Sequence, residues 1–137
     1  MLVTPTLHFY GQCEEAINLY QKAFGLQIKS LLHYADADPH DWDFSITATQ
    51  QSYVYHAEAY IGTQRIMLAD EIGPEASGNP NLVLTITFET DDLVKEAYEA
   101  LKEGGSIIQP LRTTTYSSSM ASVVDRFGFR WGLMTEN

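Results

Sequence analysis

His8, His56 and Glu58 are the residues of this chain whose types best suit proton chemistry. A neutral imidazole accepts a proton near physiological pH, and a carboxylate beside it can orient the ring or raise its pKa. His56 and Glu58 fall at alternate positions of one stretch, so on a β-strand both side chains leave the same face. The plain alternative is that the histidines are ordinary polar residues of a sheet surface. Cys13 stands at a predicted helix start, where the dipole lowers a thiol pKa; with no base evident beside it, packing is the expected role. The acidic stretch 36–43 is rich in oxygen ligands but lacks the central Gly and distal Glu of an EF-hand loop. It reads as a solvated loop, with Trp42 able to fold over a binding site. Ser117, Ser118 and Ser119 have no nucleophile elbow around them and read as a flexible strand entry.

The elements that must position these residues show in the periodicity. Val3, Leu7 and Phe9 alternate with polar neighbours, which predicts a strand over residues 3–10, with Pro5 placing it near an edge or a strand start. From Cys13 the apolar spacing changes to three and four through Ala16, Ile17, Tyr20, Ala23 and Phe24, a helix with Gly25 at its C-terminal cap. Strands follow at 26–34, 53–61 and 65–69, with a turn at Gly62, Thr63 and Gln64. The segment 71–81, rich in Gly, Pro and Asn, reads as a linker. A second pass then repeats the first: a strand at 82–88, a helix around Leu93–Leu101 ending at Gly104 and Gly105, and strands at 106–111, 120–124 and 129–134. The chain therefore reads as a single α+β domain, 1–137, of two βαβββ modules, about 1–70 and 82–137. A lone module leaves the sheet face opposite its helix in need of cover.

The 137 residues suit one compact domain. Eighteen acidic against eight basic residues leave a net charge of -10, which opposes binding to nucleic acid or to anionic lipid. No apolar run approaches a membrane span, and the opening residues lack a signal-peptide layout, so a cytoplasmic location is expected. One cysteine permits neither an internal disulfide nor a Cys-rich zinc site. No Gly-rich strand-to-helix loop suited to a nucleotide-like cofactor is present, which argues against a methyltransferase. What remains is a soluble small-molecule enzyme or binding protein.

Three blocks carry a resemblance: TPTLHFYGQCEEAINLYQKAFG at 4–25, HAEAYIGTQRIMLAD at 56–70 and VVDRFGFRW at 123–131. In their order and spacing they resemble the glyoxalase and bleomycin-resistance superfamily, also called vicinal oxygen chelate proteins, and within it the PhnB-like branch. The resemblance implies a cup-shaped mixed sheet with the helices outside, a ligand inside, and a homodimer. It also implies a metal centre built from His, Gln or Glu on the first and last strands of the modules. Those positions fall here on or near Thr4, Met67, Val83 and Gly132, none of which offers a carboxylate or imidazole, so no metal and no cofactor are expected.

With that fold, strand parity sends Leu7, Phe9, Ala57, Ala59, Ile66, Leu68, Leu84, Ile86, Trp131 and Leu133 under the helices. It points His8, Tyr10, His56, Glu58, Tyr60, Met67, Thr85, Arg130 and Met134 toward the cup. The resemblance adds Tyr116, an aromatic residue at the entrance of the late hairpin, suited to stack on a flat ligand. The expected ligand site is thus His8, Tyr10, His56, Glu58, Met67, Tyr116 and Arg130, with no catalytic residue assigned. Three functions compete: a metal-free protein that sequesters a small, partly aromatic or amphipathic molecule; a metal-independent enzyme using His8, His56 and Glu58; and a structural or regulatory dimer whose cup is filled by side chains.

Overall fold

The computed structural model describes residues 2–42, 44–73 and 82–136. In its first half β1 (Thr6–Phe9) leads into α1 (Cys13–Phe24), β2 (Gln27–His33), β3 (Val54–Ile61) and β4 (Gln64–Asp70). In the second, β5 (Leu84–Phe88) leads into α2 (Asp91–Lys102), β6 (Ser106–Thr114), β7 (Ser117–Val124) and β8 (Arg130–Thr135). Contacts divide the chain into two compact units, Met1–Ala76 and Ser77–Asn137. Of the expected linker, residues 74–81 lie outside the described residues.

Each unit is an α+β module with one four-stranded mixed sheet, ordered β1-β4-β3-β2 in the first and β5-β8-β7-β6 in the second. The first strand of each runs parallel to the last, pairing Phe9 with Asp70 and Phe88 with Thr135. The hairpins run antiparallel, pairing Ala57 with Leu68 and Ala121 with Leu133. The rows Leu7–Leu68–Ala57 and Ile86–Leu133–Ala121 therefore occupy the same place in the two sheets. From those rows Thr6 matches Thr85, His56 matches Met120, Glu58 matches Ser122, Arg65 matches Arg130 and Met67 matches Gly132.

Helical spacing determines which sheet face is buried. Ala16, Ile17, Leu19, Tyr20 and Ala23 form the buried stripe of α1, which packs on β3 and β4. Ala57, Ala59, Ile66 and Leu68 are the buried residues of those strands. Full burial of each Leu, Ile or Phe side chain contributes roughly 1.5–3 kcal/mol. Gly25 takes the left-handed conformation (φ 66°) that ends α1, its N–H donating to the Gln21 carbonyl while the Leu26 N–H reaches the Tyr20 carbonyl. Helix α2 starts at a Thr90 cap, whose hydroxyl accepts from the Leu93 N–H, and packs on β7 and β8 over Ala121, Val123 and Leu133.

Buried polar groups tie the ends of these elements together. Asp70, 2% exposed, accepts from the Gly11 and Cys13 N–H groups at 2.8 and 3.0 Å through Oδ1 and from the Val54 N–H at 2.9 Å through Oδ2. One carboxylate thus joins the end of β4 to the start of α1 and the start of β3. At the matching corner of the second module Thr135 replaces it, bonded through its hydroxyl to Ser117 and Ser118, while Ser118 donates to Asp91 at the start of α2. Hydrogen bonds from Ser118, Ser119 and Thr135 hold the Asp91 carboxyl below its ordinary range. Asp125 does the same work in the β7–β8 turn, accepting from the Phe127 and Phe129 N–H groups and from Trp131 Nε1.

The structure departs from the periodicity at several places, among them β6, which runs on to Thr114. The first strand begins at Thr6, because Pro5 has no N–H to give to the ladder; its carbonyl still accepts from the Met67 N–H at 2.9 Å. The expected acidic loop winds through two short 3-10 turns, Tyr34–Asp36 and Pro39–Asp41. The triple serine is an ordered part of β7, since Ser117 is fully buried and accepts from the Thr135 N–H.

Two outcomes follow from the Asp70 corner. Asp70→Asn turns an amide NH2 toward one of the three backbone donors and should lower unfolding free energy by about 2–3 kcal/mol in urea titrations. Cys13 is fully buried, and burial, with the Asp70 and Glu14 charges behind it, pushes its thiol far above the ordinary range. It should resist a water-soluble disulfide reagent in the native protein and react once urea unfolds the chain.

Candidate functional site

On the first module's sheet, a cavity of about 360 Å³ is lined by His8 from β1, Tyr55 and His56 from β3, and Ala69 and Asp70 from β4. The following segments close around it with Tyr34, Trp42 and Glu71. His8 Nδ1 and Glu71 Oε1 are 2.7 Å apart, a pair nearly half exposed on both sides. The rings of Tyr34, Trp42 and Tyr55 pack edge-on or tilted with centroids 5.0–5.5 Å apart. Tyr55 donates to Asp41 at 2.9 Å, and Tyr34 donates to the Asp70 carbonyl at 2.7 Å. Burial pushes the Tyr34 phenol up to about 12, so it stays a donor. Trp42 does fold inward, onto these two tyrosines.

A second cavity, of about 580 Å³, lies within the second module and is lined by Arg130, Tyr116, Arg112, Gln109, Met120 and Met134 among others. The Tyr116 hydroxyl donates to Met120 Sδ at 2.9 Å.

The expected ligand residues therefore fall into separate groups. His8 and His56 line the first cavity, and Tyr116 and Arg130 the second. Tyr10, Glu58 and Met67 line neither. Tyr10 lies half-buried just past β1, and Glu58 faces Met67 in the β3–β4 register. The role expected for Glu58 needs correction: its carboxylate accepts from Arg65 Nε at 2.7 Å, and that bond holds its pKa below the ordinary range. Its charge is committed to the guanidinium across the hairpin and to Lys29, 3.7 Å away, and it does not orient His56. The carboxylate beside a histidine is Glu71, paired with His8. His33, at the end of β2, is bonded to Glu14 of α1, which raises its pKa, and lines neither cavity.

Reading by strand parity misses Arg112, Gln109 and Tyr55. The β6–β7 register shifts between Gln109 and Arg112, around Pro110, and the β2–β3 register shifts beside Leu32 and His33. Parity loses its meaning across such a shift.

The four positions where the resemblance implies a metal centre carry no carboxylate or imidazole. Thr4, Met67, Val83 and Gly132 offer a hydroxyl, a thioether, an alkyl group and a hydrogen. A Cβ added at Gly132 would stand 2.9 Å from Thr85 Oγ1, so a liganding side chain there requires Thr85 to move. Among the described residues no three His, Cys, Asp or Glu side chains gather in a way that could hold a metal ion.

Comparison with known proteins fits this architecture. The chain is 25% identical to protein YjdN of Escherichia coli (strain K12) over 141 aligned positions, spanning 96% of this chain and 92% of that one. The crystal structure of PA1353 from Pseudomonas aeruginosa matches with a TM-score of 0.82 and 26% identity, over 99% of this chain and 98% of that one. The PhnB protein from Bacillus cereus matches with a TM-score of 0.80 and 26% identity, over 98% and 99%. A family model matches residues 3–133, and the chain belongs to the Glyoxalase/Bleomycin resistance protein/Dioxygenase superfamily.

Proposed function

We propose that this PhnB-like chain is a metal-independent binding protein that sequesters a small, partly aromatic or amphipathic molecule. One observation carries the reading: cavities of about 360 and 580 Å³ on its sheets bring aromatic or thioether surface together with a few polar groups. Volumes of that size support a bound molecule over a cup filled with side chains. We take both modules as parts of a single domain working as a cytoplasmic homodimer, without nucleic-acid or membrane partners. No helix among the described residues is long and apolar enough to cross a membrane. The net charge of -10 supports the exclusion of nucleic acid.

The second reading, metal-independent acid–base chemistry, draws support from the His8–Glu71 pair, which lies in the same cavity as His56. A carboxylate 2.7 Å from an imidazole nitrogen can orient the ring toward a bound molecule. Glu58 then drops out of the catalytic set, and Glu71 takes its place.

Native mass spectrometry of freshly purified protein tests the first reading. A small organic adduct that is lost on denaturation is expected, together with well under one metal ion per chain after dialysis. Stoichiometric zinc, nickel or iron surviving dialysis would refute metal independence. Titration of the recovered adduct should show His56→Ala weakening binding by about 1–3 kcal/mol, the cost of leaving a ligand group unpaired. His40→Ala, whose ring is 94% exposed and paired with Asp38, should leave affinity unchanged. Sedimentation at micromolar concentration should report twice 15.4 kDa; a monomer there would remove the dimer from the proposal.

A further inference from the structure

We infer that the second module's cavity selects an anion, a carboxylate, sulfonate or phosphate carried on an apolar or aromatic body, and that Arg112 and Arg130 receive its charge. The inference rests on the binding reading above and names its ligand class.

The charge distribution carries the argument. The chain has eighteen acidic residues and eight basic ones, of which four are arginines. Two of those four, Arg112 and Arg130, line this cavity, and no Asp or Glu stands among its described lining residues. In a molecule of net charge -10 the long-range field repels anions, so this cavity is a local reversal of sign. The first module's cavity differs: Asp41, Asp70 and Glu71 line it, and none of its described lining residues is Lys or Arg.

The internal repeat gives the two sheets different side chains at matching places. Arg65 holds the place in the first sheet that Arg130 holds in the second, and it donates to Glu58 at 2.7 Å. In the second sheet Ser122 holds the place of Glu58 and lines the cavity, whereas Glu58 and Arg65 lie outside the first module's cavity. His56 is likewise replaced by Met120, so a titratable group gives way to a polarizable apolar one. On the far wall, the Gln109 amide lies beside the Arg112 guanidinium. Guanidinium is a planar, permanently charged fork that matches carboxylate, sulfonate and phosphate oxygens. Tyr116, Met120, Met134 and Ile108 supply apolar surface for the ligand's body.

A matched pair of dyes tests the assignment: 1-anilinonaphthalene-8-sulfonate and N-phenyl-1-naphthylamine share one ring system, and only the first carries an anion. Fluorescence titration of the full chain should show the anionic dye bound more tightly than the neutral one. Arg112→Gln and Arg130→Gln should each weaken the anionic dye about tenfold and change the neutral dye less than about twofold, as loss of a charge-assisted bond requires. Arg112→Lys should restore most of the anionic affinity. Arg126→Gln removes the same net charge from the β7–β8 turn, outside the cavity, and should leave both dyes unaffected. Arg112 is exposed on β6, so its variants should keep the native circular dichroism and carry the test if Arg130→Gln does not fold. Equal affinity for the two dyes, or wild-type anionic affinity in Arg112→Gln, would overturn the charge assignment and leave the binding reading standing. Failure of both dyes to bind would overturn both.

Discussion

One helix for each four-stranded sheet is the constraint on which the other features of this molecule depend. A helix of twelve residues covers one face of such a sheet, and the small and branched residues beneath it, Ala57, Ala59, Leu68, Ala121, Val123 and Leu133, are fully buried. The alternate residues of the same strands cannot share that environment. Thr6, His8, Thr85 and Thr87 stay exposed, and His56, Glu58, Met67 and Met134 half-buried. Residues free of the packing demand can carry polar and charged chemistry, and both cavities draw on them.

The helix-to-sheet joints require more than apolar contact. Where a strand ends against a helix start, several backbone N–H groups lose water and must find acceptors. The first module satisfies three of them with the Asp70 carboxylate; in the second the Ser117 and Thr135 hydroxyls accept from the Ser119 and Thr135 N–H groups. The two corners hold matching places in matching sheets with different side chains. What the fold retains there is the satisfaction of buried donors, and the residue that provides it varies.

The same freedom separates the two cavities. Equivalent positions place His56 in one cavity and Met120 in the other. One module consequently presents imidazoles, aromatic rings and carboxylates, and the other guanidinium groups and thioethers. Duplication of a module thus yields one backbone plan with two different cavity linings.

The element order, the internal repeat, the helix faces and the buried parity of Leu7, Phe9, Ala57 and Leu68 were legible in the sequence, because each depends on spacing within a single element. The hairpin partner of Glu58 was legible in principle as well: a turn at Gly62 and Thr63 pairs Tyr60 with Arg65 and leaves Glu58 one pleat away on the same face. The role of Asp70 was not, since the N–H groups of Gly11 and Cys13 that it satisfies lie 59 and 57 residues earlier. Glu71 beside His8, the ordering of Ser117 by Thr135, and the entry of Arg112 into a cavity wall likewise needed the tertiary structure. Periodicity reports which way a side chain points from its own strand. The identity of its polar partner depends on strand pairing, register shifts and the ends of distant elements, which bring charges together without regard to their separation along the chain.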